Sequence, residues 1–387
     1  MKASIIKACA CLLILVLLAP AASATTSKAV IDMVSKTAGD SSLNYPEITG
    51  MDNSFVQDQI NQAIVEHITP HLNTFTVLQS GTPGQLVLSG EAFILPSTDG
   101  HDLLSILFTA EGRMPNGRTG YQQLPLQFDL ANGQEVTADQ LFTNKEEART
   151  HLEDLVDALF MDDLSNYLDL SALRPLPLER LLIDATGISF FYPEDSLTWL
   201  SGRPASFHFL FHEIQDLMNL EEGSFLHSLG VLNRMHTNEH TGKAIEEAAR
   251  SGKLPGLAVT LGEKLETAIK RHSLLYDPEG FADGEKYQLE DDRFRGSVLI
   301  SFDRDTIAGV LSRRMNLSGL ITGASTQADA LLALGQPAVS LPLGEDAAAL
   351  YGLPEGNMDI YPFEPNELRL VYDQEDQLIA IWMQTIK

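Results

Sequence analysis

Residues 236–240 read His-Thr-Asn-Glu-His, two histidines four apart with a glutamate beside the second. That spacing fits two zinc chemistries. In an inverted zinc peptidase, His-x-x-Glu-His lies on one continuous helix, so that both imidazoles hold the metal and the glutamate activates its water. In a polysaccharide deacetylase, His-Ser/Thr-x-x-His supplies two ligands to a metal completed by an aspartate upstream. The first chemistry needs a helix, yet Gly242 follows at once and Thr237, Asn238 and Thr241 are poor helix formers. The second needs an Asp-Asp pair on a strand end upstream and an Arg-x-Pro downstream, and no Phe-Asp-Asp occurs between residues 185 and 236 and no Arg-x-Pro after His240. Glu246 or Glu247 could complete a ligand set, but acids are plentiful throughout the chain. We therefore expect a surface segment here and assign no catalytic, cofactor-binding or metal residue. A zinc-dependent hydrolase built on His236, Glu239 and His240 is the alternative.

Two further histidine pairs share the spacing. His67 and His71 flank Pro70, which is expected to break their helix and part them. His208 and His212 fall where a strand turns into a helix, with His208 between Phe207 and Phe209, so both are read as core-rim residues. No Gly-x-Ser-x-Gly elbow, phosphate loop or calcium loop is present.

Lys2 and Lys7 precede an apolar run that ends in Ala22-Ser23-Ala24, the small-x-small pattern of a signal-peptidase site. Residues 1–24 are read as a signal peptide and the protein as exported, periplasmic or extracellular, from a bacterium. The run is shorter than the roughly 20 residues of a membrane span, and no second run follows. Both cysteines, Cys9 and Cys11, lie within it, so the remainder has no thiol for a disulfide or a Cys-type zinc site. Without the two signal lysines the balance is 24 basic against 53 acidic residues, a net charge of −29. Nucleic acid is excluded as a partner by that sign, whereas a basic protein would be attracted.

The elements implied are α+β. After a flexible leader over 25–42, a short strand precedes a helix with Asp52 as N-cap and Phe55, Ile60, Ile64 and Ile68 at helical spacing, closed by Pro70. From Phe75 to Phe128, alternating runs separated by Gly/Pro/Asn clusters predict an antiparallel meander. An Asn132-Gly133 hairpin, a helical turn opened by Thr137, an amphipathic helix over 145–168, a strand pair around 184–187 and a strand running into a short helix complete the N-terminal domain, residues 43–220. Residues 221–297 read as a helical and polar connector, exposed over "DPEGFADGEKYQLEDDR". Residues 298–387 read as a small domain of a helix ("TQADALLALG") on an antiparallel sheet closed by the hairpin "LRLVYDQEDQLIAIWM".

Particular residues carry two resemblances. "YPEITG…VQDQINQAI", "LPLQFDLANGQEVTADQLF" and "GISFFYPEDSLTWLSGRPASFHFLFHEIQDLM" resemble the extracytoplasmic domain of RsiV-type lysozyme-sensing anti-sigma factors, found also beside the catalytic domain of PdaC-type peptidoglycan deacetylases. The match runs over about residues 43–220 and departs from the pattern at "PNGRTGYQQ", where relatives carry a histidine turn. Gly319, Gly323, Ser325, Gly335, Pro337, Tyr361, Phe363, Leu368, Leu370, Tyr372, Asp373 and Leu378 follow the pattern of BamE/SmpA-like envelope modules over about 298–387. The first resemblance implies recognition of a protein such as lysozyme, or of a peptidoglycan-related ligand. The second implies a small envelope module, a fold of helix on sheet rather than an active site. Together they imply a non-catalytic cell-envelope protein with no cofactor.

Overall fold

The computed structural model describes residues 28–386 except 83, 114–118, 161–168, 195, 199–203, 256–258, 272–273, 282–283, 290–294 and 302–304. The expected signal peptide lies outside those residues. The chain is α+β, and among the described residues no helix is long and apolar enough to cross a membrane.

A five-stranded sheet in the order β1-β2-β3-β4-β5 opens the fold. Its strands are β1 (Val30–Ala38), β2 (Ser41–Thr49), β3 (Gln85–Leu95), β4 (Leu103–Arg113) and β5 (Thr119–Asp129). The β3-β4-β5 meander is antiparallel as the alternation predicts, while β2 pairs with β3 in parallel. The expected flexible leader instead supplies β1, an edge strand paired along its full length with β2. Its residues are mostly exposed, which leaves little hydrophobic signal in the sequence.

Helix α1 (Ser54–Gln79) crosses this sheet and runs straight through Pro70. Its N-cap is Asn53, whose side chain accepts from the Val56 amide, rather than Asp52. Val56 takes the buried position and Phe55 is exposed. Pro70 removes one helical hydrogen bond at a cost of about 3 kcal/mol. Burying Val56, Ile60, Ile64, Ile68 and Phe75 against Leu43, Leu88 and Ile106 is worth about 8–15 kcal/mol at roughly 1.5–3 kcal/mol per side chain, so the helix continues. The stretch 75–79, expected to start the meander, is its last turn.

Asp129 organises the Asn-Gly turn after β5: its carboxylate accepts from the Ala131 amide at 2.9 Å and Asn132 Nδ2 at 2.7 Å, and Gly133 sits at φ +73°. Helix α2 (Ala138–Leu141) starts at Thr137 with Gln140 closing a capping box, and α3 (Lys145–Phe160) buries Leu152, Val156 and Phe160. Those residues cover the three-stranded sheet β6 (Leu181–Ile183), β7 (Gly187–Phe191) and β8 (Ser206–Leu210). Phe160, Phe190, Phe207 and Phe209 meet there, with the Phe160 and Phe207 rings edge-on at 4.8 Å. Ser105 on β4 donates to the Ile183 carbonyl and Gln127 on β5 accepts from the Ile183 amide, fixing the small sheet to the meander.

The expected connector divides between two cores. Short helices α4 (Phe225–Ser228) and α5 (Val231–Arg234) bury Leu226, Leu229 and Val231 with α3 and the small sheet. Helices α6 (Thr241–Ser251) and α7 (Leu265–Arg271) bury Ile245, Ala249 and Ala268 in the C-terminal core. The stretch read as exposed and polar contributes strands β9 (Leu274–Phe281) and β10 (Gly284–Leu289). They extend an eight-stranded antiparallel sheet in the order β15-β16-β17-β18-β12-β11-β10-β9. Asp277 on β9 is buried and paired at 2.9 Å with Lys286, its register partner on β10, so two charges that read as solvent-facing neutralise each other within the sheet.

The remaining strands are β11 (Arg295–Ser301), β12 (Ile307–Arg314), β15 (Val339–Leu343), β16 (Gly356–Phe363), β17 (Asn366–Tyr372) and β18 (Leu378–Thr385). A hairpin, β13 (Asn316–Leu317) and β14 (Leu320–Ile321), leads to α8 (Gln327–Leu334), where Thr326 and Asp329 form the capping box. Helix α9 (Glu345–Ala349) lies on the other face of the sheet, beside the Tyr351 and Trp382 rings 4.5 Å apart.

Candidate functional site

The His-Thr-Asn-Glu-His segment is the turn between α5 and α6. Asn238, which neither zinc motif uses, organises it. Its Oδ1 accepts from the His240 amide at 2.9 Å, its Nδ2 donates to the Asn233 carbonyl at 3.1 Å, and its own amide donates to buried Thr241 Oγ1 at 2.9 Å. His240 is the N-cap of α6, so the two histidines do not share a helix face. Glu239 and His240 are 86% and 85% exposed and lie 3.6 Å apart. Glu246 pairs with Arg250 at 2.9 Å and Glu247 with Lys243 at 3.7 Å, which commits the carboxylates considered as third ligands to neighbours on α6. Among the described residues no three His, Cys, Asp or Glu side chains are grouped to hold a metal.

The backbone of this segment makes a tight contact. Gly319, at φ +98°, passes so close that a Cβ there would stand 2.5 Å from the His236 carbonyl oxygen. Gly242 likewise lets the start of α6 approach Ala333 on α8, where a Cβ would lie 2.1 Å from the carbonyl oxygen. The segment thus packs against the β13-β14 hairpin and α8. Asn316 Nδ2 closes the contact by donating to the Arg234 carbonyl at 2.8 Å.

These contacts bound a cleft of about 170 Å³. Its walls come from the β6-β7 turn (Ala185, Thr186), from α5 and the turn after it (Asn233, Arg234, Asn238, His240), and from the hairpin (Asn316, Ser318). Arg234 donates Nη2 to the Pro96 carbonyl at 3.0 Å and Nε to the Leu229 carbonyl at 3.4 Å. Burial lowers its guanidinium pKa, and the nearby Asp184 charge opposes that shift.

Behind the cleft wall a polar group is sealed between the strands. Asp184 Oδ1 accepts from the Thr186 amide at 2.7 Å, Thr186 Oγ1 at 2.6 Å and the Gly187 amide at 3.0 Å. Thr186 Oγ1 lies 3.1 Å from His208 Nε2, and Ser189 Oγ lies 3.0 Å from His208 Nδ1. Because the Thr186 hydroxyl hydrogen goes to the carboxylate, Nε2 is the donor toward Thr186, while Nδ1 faces Ser189 and lies 3.9 Å from Asp184 Oδ2. Ser, His and Asp are therefore brought together, but Ser189 and His208 are each 1% exposed. A serine nucleophile must reach its substrate, and this serine is enclosed by strand backbone.

Arg314, the last residue of β12, reaches across to the same strands. Its Nε donates to Glu213 Oε1 at 2.7 Å and its Nη2 to the His208 carbonyl at 2.6 Å, while the guanidinium lies 5.2 Å from the Phe160 ring centre. Both charged side chains are 14% exposed, and Glu213 also accepts from the Leu210 amide at 2.8 Å. This ion pair ties the eight-stranded sheet to the N-terminal elements.

The other histidines resolve separately. Because α1 continues through Pro70, His67 and His71 are one turn apart on it, contrary to the expected break. Burial lowers both pKa values, and His67 Nε2 is buried without a hydrogen-bond partner. Burial lowers the His212 pKa as well. His101, which the sequence does not single out, donates to Asp129 at 2.8 Å, and that hydrogen bond raises its pKa. A second cavity of about 270 Å³ lies beside Glu135, Asp139, Lys145 and Glu179. Part of "PNGRTGYQQ", where the resemblance departs from its pattern, falls outside the described residues.

No protein-family model and no curated protein matches the chain. Solved structures do. A DUF3298 family protein from Bacteroides fragilis is similar over 54% of this chain and 98% of its own, at 16% identity and a TM-score of 0.38. A DUF3298 family protein from Pseudomonas aeruginosa covers 50% and 94%, at 10% identity and a TM-score of 0.35. A DUF4309 family protein, YjgB of Bacillus subtilis, covers 38% and 97%, at 12% identity and a TM-score of 0.30.

Proposed function

We propose that the chain is an exported bacterial cell-envelope protein that works by binding rather than catalysis. The observation that carries this reading is the placement of the His236–His240 segment in a packed turn whose polar work is done by Asn238 and the backbone. The zinc-hydrolase alternative needs both imidazoles on one helix face, and α6 begins only after His240. The buried Ser189-His208-Asp184 group lacks access for a substrate, whereas the cleft between the hairpin and α5 is open to solvent and includes Arg234, Asn233 and Ser318 among its lining residues.

The partner we propose is a basic protein of the lysozyme kind, bound by residues 43–220. The resemblance of that region to RsiV-type and PdaC-type domains supports it, as does the acidity of the chain. Opposite net charge alone would also draw any cation-rich protein, so the test must separate the two. The immobilised chain is exposed to lysozyme and to cytochrome c at about 0.15 M salt, where charges are screened beyond about 8 Å. Retention of lysozyme alone supports the reading. Equal retention of both, or loss of lysozyme at that salt, refutes it.

A further inference from the structure

We propose that the cleft beside Arg234 receives the terminal carboxylate of a small polar ligand, with Asn233 and Ser318 completing its hydrogen bonds. This deepens the binding reading above and rests on it.

In a chain with 53 acidic residues, no Asp or Glu among the described residues lines this cleft. Asp184, just before the lining residues Ala185 and Thr186, is turned into its own loop by three donors from Thr186 and Gly187, and Glu239, between the lining residues Asn238 and His240, is 86% exposed. Arg234 supplies the charge. Two of its nitrogens are held by the Pro96 and Leu229 carbonyls, which fix the guanidinium plane, and Nη1 has no partner among the described residues. A half-desolvated guanidinium with one edge unsatisfied is the group that a carboxylate pairs with most effectively, since two parallel N–H donors match its two oxygens.

Two neutral groups face the same space. The Asn233 carboxamide makes no hydrogen bond among the described residues, although its carbonyl is used by Asn238. Ser318 is the first residue of a two-residue hairpin turn and stands at φ +52°, with Gly319 at +98°. A side chain at that φ is strained, which glycine would avoid. Ser318 lines the cleft, and its hydroxyl has no partner among the described residues. The volume is below the roughly 300–1,000 Å³ of sites that enclose whole drug-sized molecules. The cleft therefore takes the end of a ligand, and the rest lies outside. A peptide C-terminus and an acidic sugar share this chemistry.

The test titrates the full chain calorimetrically with acetyl-alanyl-alanine, with its C-terminal amide and with glucuronic acid. At least one of the two carboxylates should bind, and which one does identifies the source. The amide should bind at least about tenfold more weakly than the dipeptide acid where that acid binds. A chain carrying both Asn233→Ala and Ser318→Gly should lose about tenfold in affinity at an unchanged or higher melting temperature, because glycine relieves the turn. Equal binding of acid and amide, no binding of either carboxylate at millimolar concentration, or undiminished affinity in the double variant overturns the inference. The same double variant is run in the lysozyme retention assay. Loss of retention by the unsubstituted chain with carboxylate binding kept refutes the protein-partner reading alone, and the converse refutes the cleft assignment alone.

Discussion

Replacing Arg314 with methionine removes the cation but keeps most of the packing volume over Phe160. In the folded protein Glu213 then keeps, among the described residues, the Leu210 amide as partner, at 14% exposure, and the His208 carbonyl loses the Arg314 donor. Removing one member of a buried ion pair costs about 3–5 kcal/mol, because the other charge stays desolvated. An exposed pair would cost less than about 1 kcal/mol. The second substitution decides between loss of contact and stranded charge. Adding Glu213→Gln to Arg314→Met leaves no charge buried and preserves an acceptor for Leu210, so the double variant should recover at least half of the loss. The assay is urea unfolding followed by tryptophan emission and far-UV circular dichroism, in a Trp199→Phe background so that Trp382 alone reports the C-terminal sheet. We expect the single variant to unfold at lower urea with the two probes no longer coincident, since the sheet loses its tie to the N-terminal elements. A change below about 1 kcal/mol with coincident transitions would refute the reasoning.

Asn238→Ala should cost about 1–2 kcal/mol through its lost turn hydrogen bonds, while His236→Ala and His240→Ala stay within about 0.5 kcal/mol in the same urea assay. The reverse order would restore a role for the imidazoles. Gly242→Ala should destabilise by about 1–3 kcal/mol, because its Cβ would meet the Ala333 carbonyl at 2.1 Å and force α6 from α8; a melting temperature equal to that of the parent would contradict the contact. Buried His67 and His212 have pKa values below the usual 6.5, so the unfolded chain takes up their protons first and stability falls as pH drops from about 6.5 toward their folded values. His101 works oppositely: its raised pKa gives stability that is full below about 6.5 and lost as pH rises through the folded value. Thermal melts across pH 5–8 should show a weaker acid loss in a His67→Gln, His212→Gln double variant and a flatter alkaline side in His101→Gln. Unaltered profiles would disprove both assignments.

The meander was legible because β3 alternates and its turns carry Gly, Pro or Asn, although β4 is buried along Leu103–Phe108, and the helical turn α2 declared itself through Thr137. The continuation of α1 past Pro70 was not legible, since the burial that outweighs the proline comes from β2, β3 and β4. Strands β9 and β10 were hidden for a different reason. Their charges are compensated across the ladder by Asp277 and Lys286, and a run of acids reads as solvated until its partner strand is known. The cleft is the least legible feature, because Thr186, Arg234 and Ser318 are distant in sequence and none belongs to a motif. The His236–His240 spacing had the opposite fault, a strong motif whose backbone is the wrong shape for it.

Zinc content after exhaustive dialysis tests the central claim most directly, measured by elemental analysis on the unsubstituted chain and on the His236→Ala, His240→Ala double variant. A turn held together by Asn238 predicts well under one zinc per chain in both, with equal melting temperatures. About one zinc per chain that disappears in the double variant would contradict the account and make the segment a metal site.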